Sequence, residues 1–264
     1  MGLPLEKEMC VAQELAQSAG RVVKALHGNA SFTFKKEGAG PVSEADLRAD
    51  EMIRAGLIAH FPNDIVISEE TADESALLPQ AHRIWLVDPV DGTLDFIRGG
   101  ADYSVMIGLL IDGVPALGVV FSPETETTWA GINFRNIALA QVRRHDKVEI
   151  LQQLNRNNID QPIIVASKSH PSVAANSIAK LLNPSQIIRM GSLGLKLAFM
   201  AEGKADLYLA PSHHIKVWDT CAPFAIFSAV GGLIHSFAAG EVPFGPTLSH
   251  KTPFFAVSPR YIKV

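Results

Sequence analysis

Residues 85–93 read WLVDPVDGT. A hydrophobic run ends in two aspartates, Asp88 and Asp91, with Pro89 and Val90 between them and Gly92 just after. The apolar stretch Ile84 to Val87 predicts a buried strand. Pro89 has no N–H for a strand ladder, so the chain is expected to leave the strand there. Asp88 and Asp91 can then turn toward one point, with the Val90 carbonyl between them as a neutral oxygen. Gly92 permits a tight bend. Gly92 and Thr93 would open the next segment with free backbone N–H groups and a hydroxyl, a seat for phosphate.

The same design recurs along the chain. Glu69 and Glu70 follow IVIS, Asp219 follows IKVW, and Asp46 lies in VSEAD. Each has a plain reading when taken alone. DPVDGT can be an Asp-Gly turn, Glu69-Glu70 a solvated loop, and Asp219 the N-cap of a helix through TCAPFAIFSAV. Taken together they point to a cation. Two unit charges ~4 Å apart repel by about 4 kcal/mol at an effective dielectric near 20, and several such pairs would disrupt the site or force protonation. Carboxylates, a backbone carbonyl and water suit Mg²⁺. A metal beside phosphate-binding amides implies phosphoryl chemistry.

The remainder of the chain frames this constellation. Its 264 residues suit one large domain or two smaller ones. Hydrophobic residues at 47% and charged residues at 19% fit a soluble globular protein with an ample core. A net charge of −4 without a basic patch argues against a nucleic-acid polymer as partner. Cys10 and Cys221 are far apart and fit free thiols in a reducing cytoplasm, and no signal or transmembrane segment is read. Peripheral membrane association stays open.

Glu6 to about His27 has the helical period, Ser31 to Lys35 alternates like a strand, and Gly38 to Pro41 is a turn. Glu44 or Asp46 opens a helix ending near His60. YSVMIGLLIDGVPALGVVFSP predicts a hairpin turning at Asp112-Gly113, and alternation continues more weakly from Thr127 to Gln141. The polar stretch RRHDKVEILQQLNRNNIDQ divides residues 1–145, an α+β part carrying the metal site, from residues 146–264, an α/β part contributing Asp219. In the second part strands and helices alternate, as in a sheet covered by helices.

WLVDPVDGTLDF resembles the signature of the lithium-sensitive, magnesium-dependent phosphomonoesterases, the superfamily of inositol monophosphatase and fructose-1,6-bisphosphatase. VSEADLRADEMI, ISEE and VWDTCAPF sit at its other stations in order. VASKSH and MGSLGLKLAFMAEGKADLYLAP are similar to the 3'(2'),5'-bisphosphate nucleotidase branch, often called CysQ. The resemblance implies a layered αβαβα sandwich of the sugar-phosphatase type, within the α+β or α/β class, as monomer or homodimer. It implies two or three Mg²⁺ per site, with Li⁺ as inhibitor, held by Glu69, Asp88, Asp91, Asp219 and the Val90 carbonyl. Asp46, Glu70 and Thr93 would serve the catalytic step, and Gly92 and Thr93 would hold the scissile phosphate.

The implied substrate is a small phosphate ester, a nucleotide bisphosphate such as 3'-phosphoadenosine 5'-phosphate, with Ser167, His170, Ser192 and Lys196 lining its nucleotide end. Inositol 1-phosphate or another sugar phosphate is the alternative, and a non-catalytic phospholigand-binding homologue a lesser one. Ser192 can equally be a helix cap and Lys196 a solvated face. The chain departs from the pattern in GSLGLK, in TWAGINFRNIALAQVRRHDKVEI, which lacks a glycine-rich strand-turn pattern, and at two single positions. Asp95 is acidic, and Pro223 replaces a glycine at about the fourth position of a helix capped by Asp219, where its ring is expected to narrow the pocket.

Overall fold

The protein is described by a computed structural model covering residues 3–28, 31–34, 41–73, 76–155, 159–210, 215–238 and 240–261. The turn expected at Gly38 to Pro41 falls almost wholly outside these residues, as does Lys35.

Helices α1 (Glu6–Leu26) and α2 (Glu44–His60) flank a short antiparallel pair, β1 (Phe32–Phe34) and β2 (Pro41–Ser43). A seven-stranded sheet follows in the order β3 (Ile65–Ser68), β4 (Arg83–Asp91), β5 (Ser104–Ile111), β6 (Val114–Ser122), β7 (Thr127–Phe134), β8 (Ile137–Arg144) and β9 (Lys147–Ile150). The β3–β4 pair is parallel and the rest antiparallel. The short helix α3 (Thr93–Ile97) lies between β4 and β5. Asp112 and Gly113, with φ of 51° and 76°, turn the β5–β6 hairpin as the Asp-Gly pair predicts. The first sheet runs on to Ile150, past residue 145, because Lys147–Ile150 folds back on β8.

The second sheet has the order β11 (Gln186–Met190), β10 (Ile163–Ser167), β12 (Leu207–Ala210), β14 (Phe254–Val257), β13 (Leu233–Ser236). Strands β11, β10 and β12 are parallel, linked through α4 (Val173–Leu181) and α5 (Leu193–Ala201). Helix α6 (Val217–Ala229) follows β12.

Strand alternation sorts these elements into layers. Trp85, Val87, Ile107 and Leu109 pack against Ala16, Val23, Ile53 and Leu57 of α1 and α2. On the sheet's other face Met106, Val120 and Val142 share a core with Leu197 of α5, Phe227 of α6, and Tyr208 and Phe254 of the second sheet. That sheet's far face, through Ile164, Leu207 and Leu209, receives Ala179 of α4. The architecture is an αβαβα sandwich, with α5 and α6 as the middle layer.

Helix α6 sits unusually close to the first sheet. A Cβ at Gly108 would lie 2.6 Å from Cys221 Sγ and 2.8 Å from the Ala222 nitrogen, and one at Gly118 would overlap the Ala222 carbonyl. Both thiols are free, Cys221 buried in this seam and Cys10 exposed. His250 is buried beyond α6 among Phe224, Phe244 and Phe254, sharing a 2.7 Å hydrogen bond with Thr220 Oγ1. Burial holds its imidazole down at about 4, against an ordinary 6.5. A group depressed in the folded state contributes stability above its unfolded pKa and loses it as pH falls. His250 therefore costs up to about 3 kcal/mol between pH 6.5 and 4. Melting temperatures of His250→Gln are expected to fall less steeply than wild type across that window; parallel curves would refute this.

Candidate active site

Strand β4 does not stop at Pro89; it continues to Asp91 with an irregularity between Asp88, opposite Met106, and Asp91, opposite Ser104. The proline is tolerated because β3 pairs β4 only as far as Val87. The Val90 N–H donates to Asp88 Oδ1 at 3.1 Å, fixing that carboxylate locally. Gly92 follows at φ 94°, where a Cβ would come 2.8 Å from the Asp102 carbonyl, so glycine is required on both counts.

Glu69 comes from the turn after β3, its N–H bonded to the Val87 carbonyl at 3.1 Å. Asp219 comes from the first turn of α6. Its position corrects the sequence reading: Lys216 is the N-cap and Asp219 the third helical residue, its Oδ2 accepting from the Lys216 N–H at 2.8 Å. Ligand oxygens of Glu69, Asp88 and Asp219 lie within 4.8 Å of one another. Burial, then Glu69, Asp91, Asp219 and Asp46, push the Asp88 carboxyl well above its usual range, and burial and Glu69 do the same to Asp219. Hard oxygen donors crowded at buried and half-buried positions fit a divalent cation, which would remove the repulsion that raises them.

Asp91 is placed differently. Its Oδ2 accepts from the Ser192 hydroxyl and, at 2.8 Å, from the Gly194 N–H at the start of α5. Burial raises its carboxyl, opposed by Lys196, Ser192 and the backbone of α5. Glu70 is part-buried and belongs neither to the acid cluster nor to the cavity wall.

Asp46 reaches the site from the first turn of α2. Its Oδ2 accepts from the Ser43 N–H at 2.8 Å and the Ser43 hydroxyl at 2.5 Å, while Oδ1 lies 3.2 Å from Thr93 Oγ1. Thr93 Oγ1 is also 2.8 Å from the Val90 carbonyl. Burial raises the Asp46 carboxyl despite these bonds. Ser43 caps α2 through the Ala45 N–H at 3.2 Å. Ser43→Ala is expected to cost about 1 kcal/mol and to slow phosphate release, measured by melting and turnover together; unchanged turnover would detach Asp46 from the site.

Glu69, Asp88, Asp91, Thr93 and Asp219 line one end of a cavity of about 340 Å³ that runs past the second sheet to α4. Lys196 and His170 line its middle. Lys196 is 2% exposed, and its ammonium donates to the Gly191 and Ser192 carbonyls at 2.9 and 3.0 Å. Burial lowers its pKa to about 8, partly opposed by Asp91 and Asp102. Burial, then Lys196 and Arg98, hold the His170 imidazole below its usual value. Ser167 Oγ accepts from the His170 N–H at 3.1 Å.

Ser192 is fully buried and off the cavity wall, so it does not line the nucleotide end. It caps α5 through the Leu195 N–H at 3.0 Å and binds Asp91. Pro223 is likewise buried within α6 and absent from the wall, at the seventh helical position. It does not narrow the pocket. Asp95 has a partner the sequence did not reveal: Lys168 Nζ lies 2.7 Å from it and 3.3 Å from Asp102, a bridge between the two sheets. Asn176, Arg189 and Tyr208 also line the cavity and were missed.

The fold and the acid cluster define a class of phosphatase. An inositol monophosphatase family model matches residues 5–259, and the chain belongs to that metal-dependent family. It is 30% identical over 249 residues to 3'(2'),5'-bisphosphate nucleotidase CysQ of Salmonella typhimurium, covering 93% of this chain and 97% of the relative. The CysQ of Buchnera aphidicola is 29% identical over 246 residues, covering 91% and 88%. Among solved structures, CysQ from Bacteroides thetaiotaomicron aligns at a TM-score of 0.79 with 25% identity, covering 98% of this chain and all 100% of that one. An IMPase from Thermotoga maritima aligns at 0.78 with 21% identity, covering 97% and 93%, a likeness of fold. Among the described residues no helix is long and apolar enough to cross a membrane.

Proposed function

We propose that the chain removes the 3'-phosphate of 3'-phosphoadenosine 5'-phosphate, giving AMP and inorganic phosphate. The observation that carries this reading is the cavity's polarity. An acid cluster of Glu69, Asp88 and Asp219 at one end gives way to the ammonium of Lys196 and the hydrogen-bonding imidazole of His170, then to a mainly apolar wall. A substrate with a scissile phosphate, a second anionic group and a flat apolar body matches that sequence of environments. The names of the CysQ relatives support it.

Glu69, Asp88, Asp91, Asp219 and the Val90 carbonyl would hold Mg²⁺, two or three ions in all. Bound there, divalent cations supply charge neutralisation of the phosphate and leaving oxygen and a lowered pKa for water. The chain's own groups do the rest. Thr93 Oγ1, set between the Val90 carbonyl and Asp46, orients the attacking water. Asp46, its carboxyl raised by burial, takes up the proton. The N–H groups of Gly92 and Thr93 hold the phosphate, and Lys196, His170 and Ser167 receive the 5' end. Ser192 acts through Asp91, which its hydroxyl binds. Residues 1–145 supply most of the metal-binding carboxylates and residues 146–264 supply Asp219 and the nucleotide end.

Phosphate release is expected from 3'-phosphoadenosine 5'-phosphate in preference to inositol 1-phosphate, dependent on Mg²⁺ and inhibited by Li⁺. Preference for inositol 1-phosphate would overturn the substrate. Tight phosphate-ligand binding with no Mg²⁺-stimulated release from either compound would overturn catalysis.

A further inference from the structure

The far end of the cavity is built by the second sheet. Strand alternation places Ile187 and Arg189 of β11 on one face, and the parallel register sets them beside Ile164 and Ala166 of β10. Helix α4 covers that face, bringing Ala179 and Asn176 to the same space. The cavity thus ends in a slot at the carboxyl edge of the parallel strands, where open α/β sheets offer a crevice.

Most of the slot is aliphatic; its polar groups include Arg189 and Asn176, with Ser172 one turn before Asn176 on α4. Arg189 Nη1 donates to the Ser167 carbonyl at 3.2 Å, and Nη2 to Asn176 Oδ1 at 3.3 Å. Both acceptors are neutral, and among the described residues no carboxylate pairs with this guanidinium. The two bonds hold the guanidinium plane at the rim. They also engage the oxygen of Asn176, so that what its amide can offer a ligand is its NH₂ group. The slot therefore combines a flat cation, hydrogen-bond donors and aliphatic walls.

We infer that Arg189 and Asn176 form a nucleobase-recognition pair that makes this phosphatase selective for nucleotides over sugar phosphates. A guanidinium face stacks on a planar π-system, and the Asn176 amide donates to a ring nitrogen. A polyol phosphate has neither planar face nor ring acceptor and gains nothing from the pair. A second phosphate fits the slot less well, because its hydrated charge would face aliphatic side chains and one cation. It finds better company at Lys196 and His170. This assignment rests on the nucleotide reading above and adds the residues that impose it.

The test is steady-state hydrolysis of 3'-phosphoadenosine 5'-phosphate and of glycerol 2-phosphate by the Mg²⁺-loaded enzyme. Arg189→Ala is expected to raise KM for the nucleotide about 10-fold, with kcat unchanged and glycerol 2-phosphate turnover unaltered. Asn176→Ala should shift KM in the same direction. Arg189→Lys, which keeps charge without the plane, should not restore it. An unchanged KM in Arg189→Ala, equal losses on both substrates, or full rescue by lysine would each overturn the assignment. A wild-type enzyme that does not favour the nucleotide over glycerol 2-phosphate would overturn the nucleotide reading and the pair with it. A preference kept intact by Arg189→Ala removes only the pair.

Discussion

Asp88→Asn is expected to lower phosphate release by ~10³-fold or more while leaving the fold intact. Asp88 is 2% exposed and stands among Glu69, Asp91, Asp219 and Asp46, each of which raises its carboxyl. Without a cation burial and these neighbours therefore favour the neutral form, and an amide is close in shape and charge to a protonated carboxyl. The substitution costs the apo-protein little. With a cation the comparison reverses, because an amide offers no negative charge. Melting in a chelating buffer should match wild type, and added Mg²⁺ should raise the wild-type midpoint but not the variant's. Near-normal turnover by Asp88→Asn would remove Asp88 from the chemistry. A large loss of stability in chelator would show that the residue is structural.

The second large effect is expected far from any charge. Gly118→Ala adds one methyl group to β6, where alanine is conformationally ordinary, so any cost is steric. That methyl meets the carbonyl of Ala222 in α6, a backbone atom that cannot rotate aside. Overpacking against backbone costs about 3 kcal/mol, which lowers the melting point by roughly 6–12 °C. Since α6 carries Asp219, the response to Mg²⁺ should weaken as well. A variant melting within a degree or two of wild type, with an unchanged Mg²⁺ response, would disprove the tight seat of α6.

Much of the architecture was readable because its signals are local. The Asp112-Gly113 turn declared the β5–β6 hairpin, and the helix expected to open at Glu44 or Asp46 is α2, which starts at Glu44. The carboxylates were readable because each follows an apolar run. The turns after β7 and β8 were not, since they use Arg135 and His145 at φ 54° and 52° in place of glycine. That hid two hairpins and put the boundary at residue 145, inside one of them. Asp219 and Pro223 were offset by three residues because the helix starts at Val217, without a capping side chain that sequence could flag. Ser192 was given to the substrate because its true partner, Asp91, lies 101 residues away in the chain. The spacing in QIIRM does place Ile187 and Arg189 on one face; only the register with β10 and the covering helix shows which face.

The middle layer has one more consequence. Helix α6 touches both sheets and brings one carboxylate to a cluster otherwise built from the turn after β3 and the end of β4. Prying the sheets apart would withdraw that carboxylate before any strand need melt. Competence to bind the cation is thereby a gauge of whether the two halves are docked. A partly opened chain would idle instead of hydrolysing at random, and amide protons of α6 should exchange more slowly once Mg²⁺ is supplied.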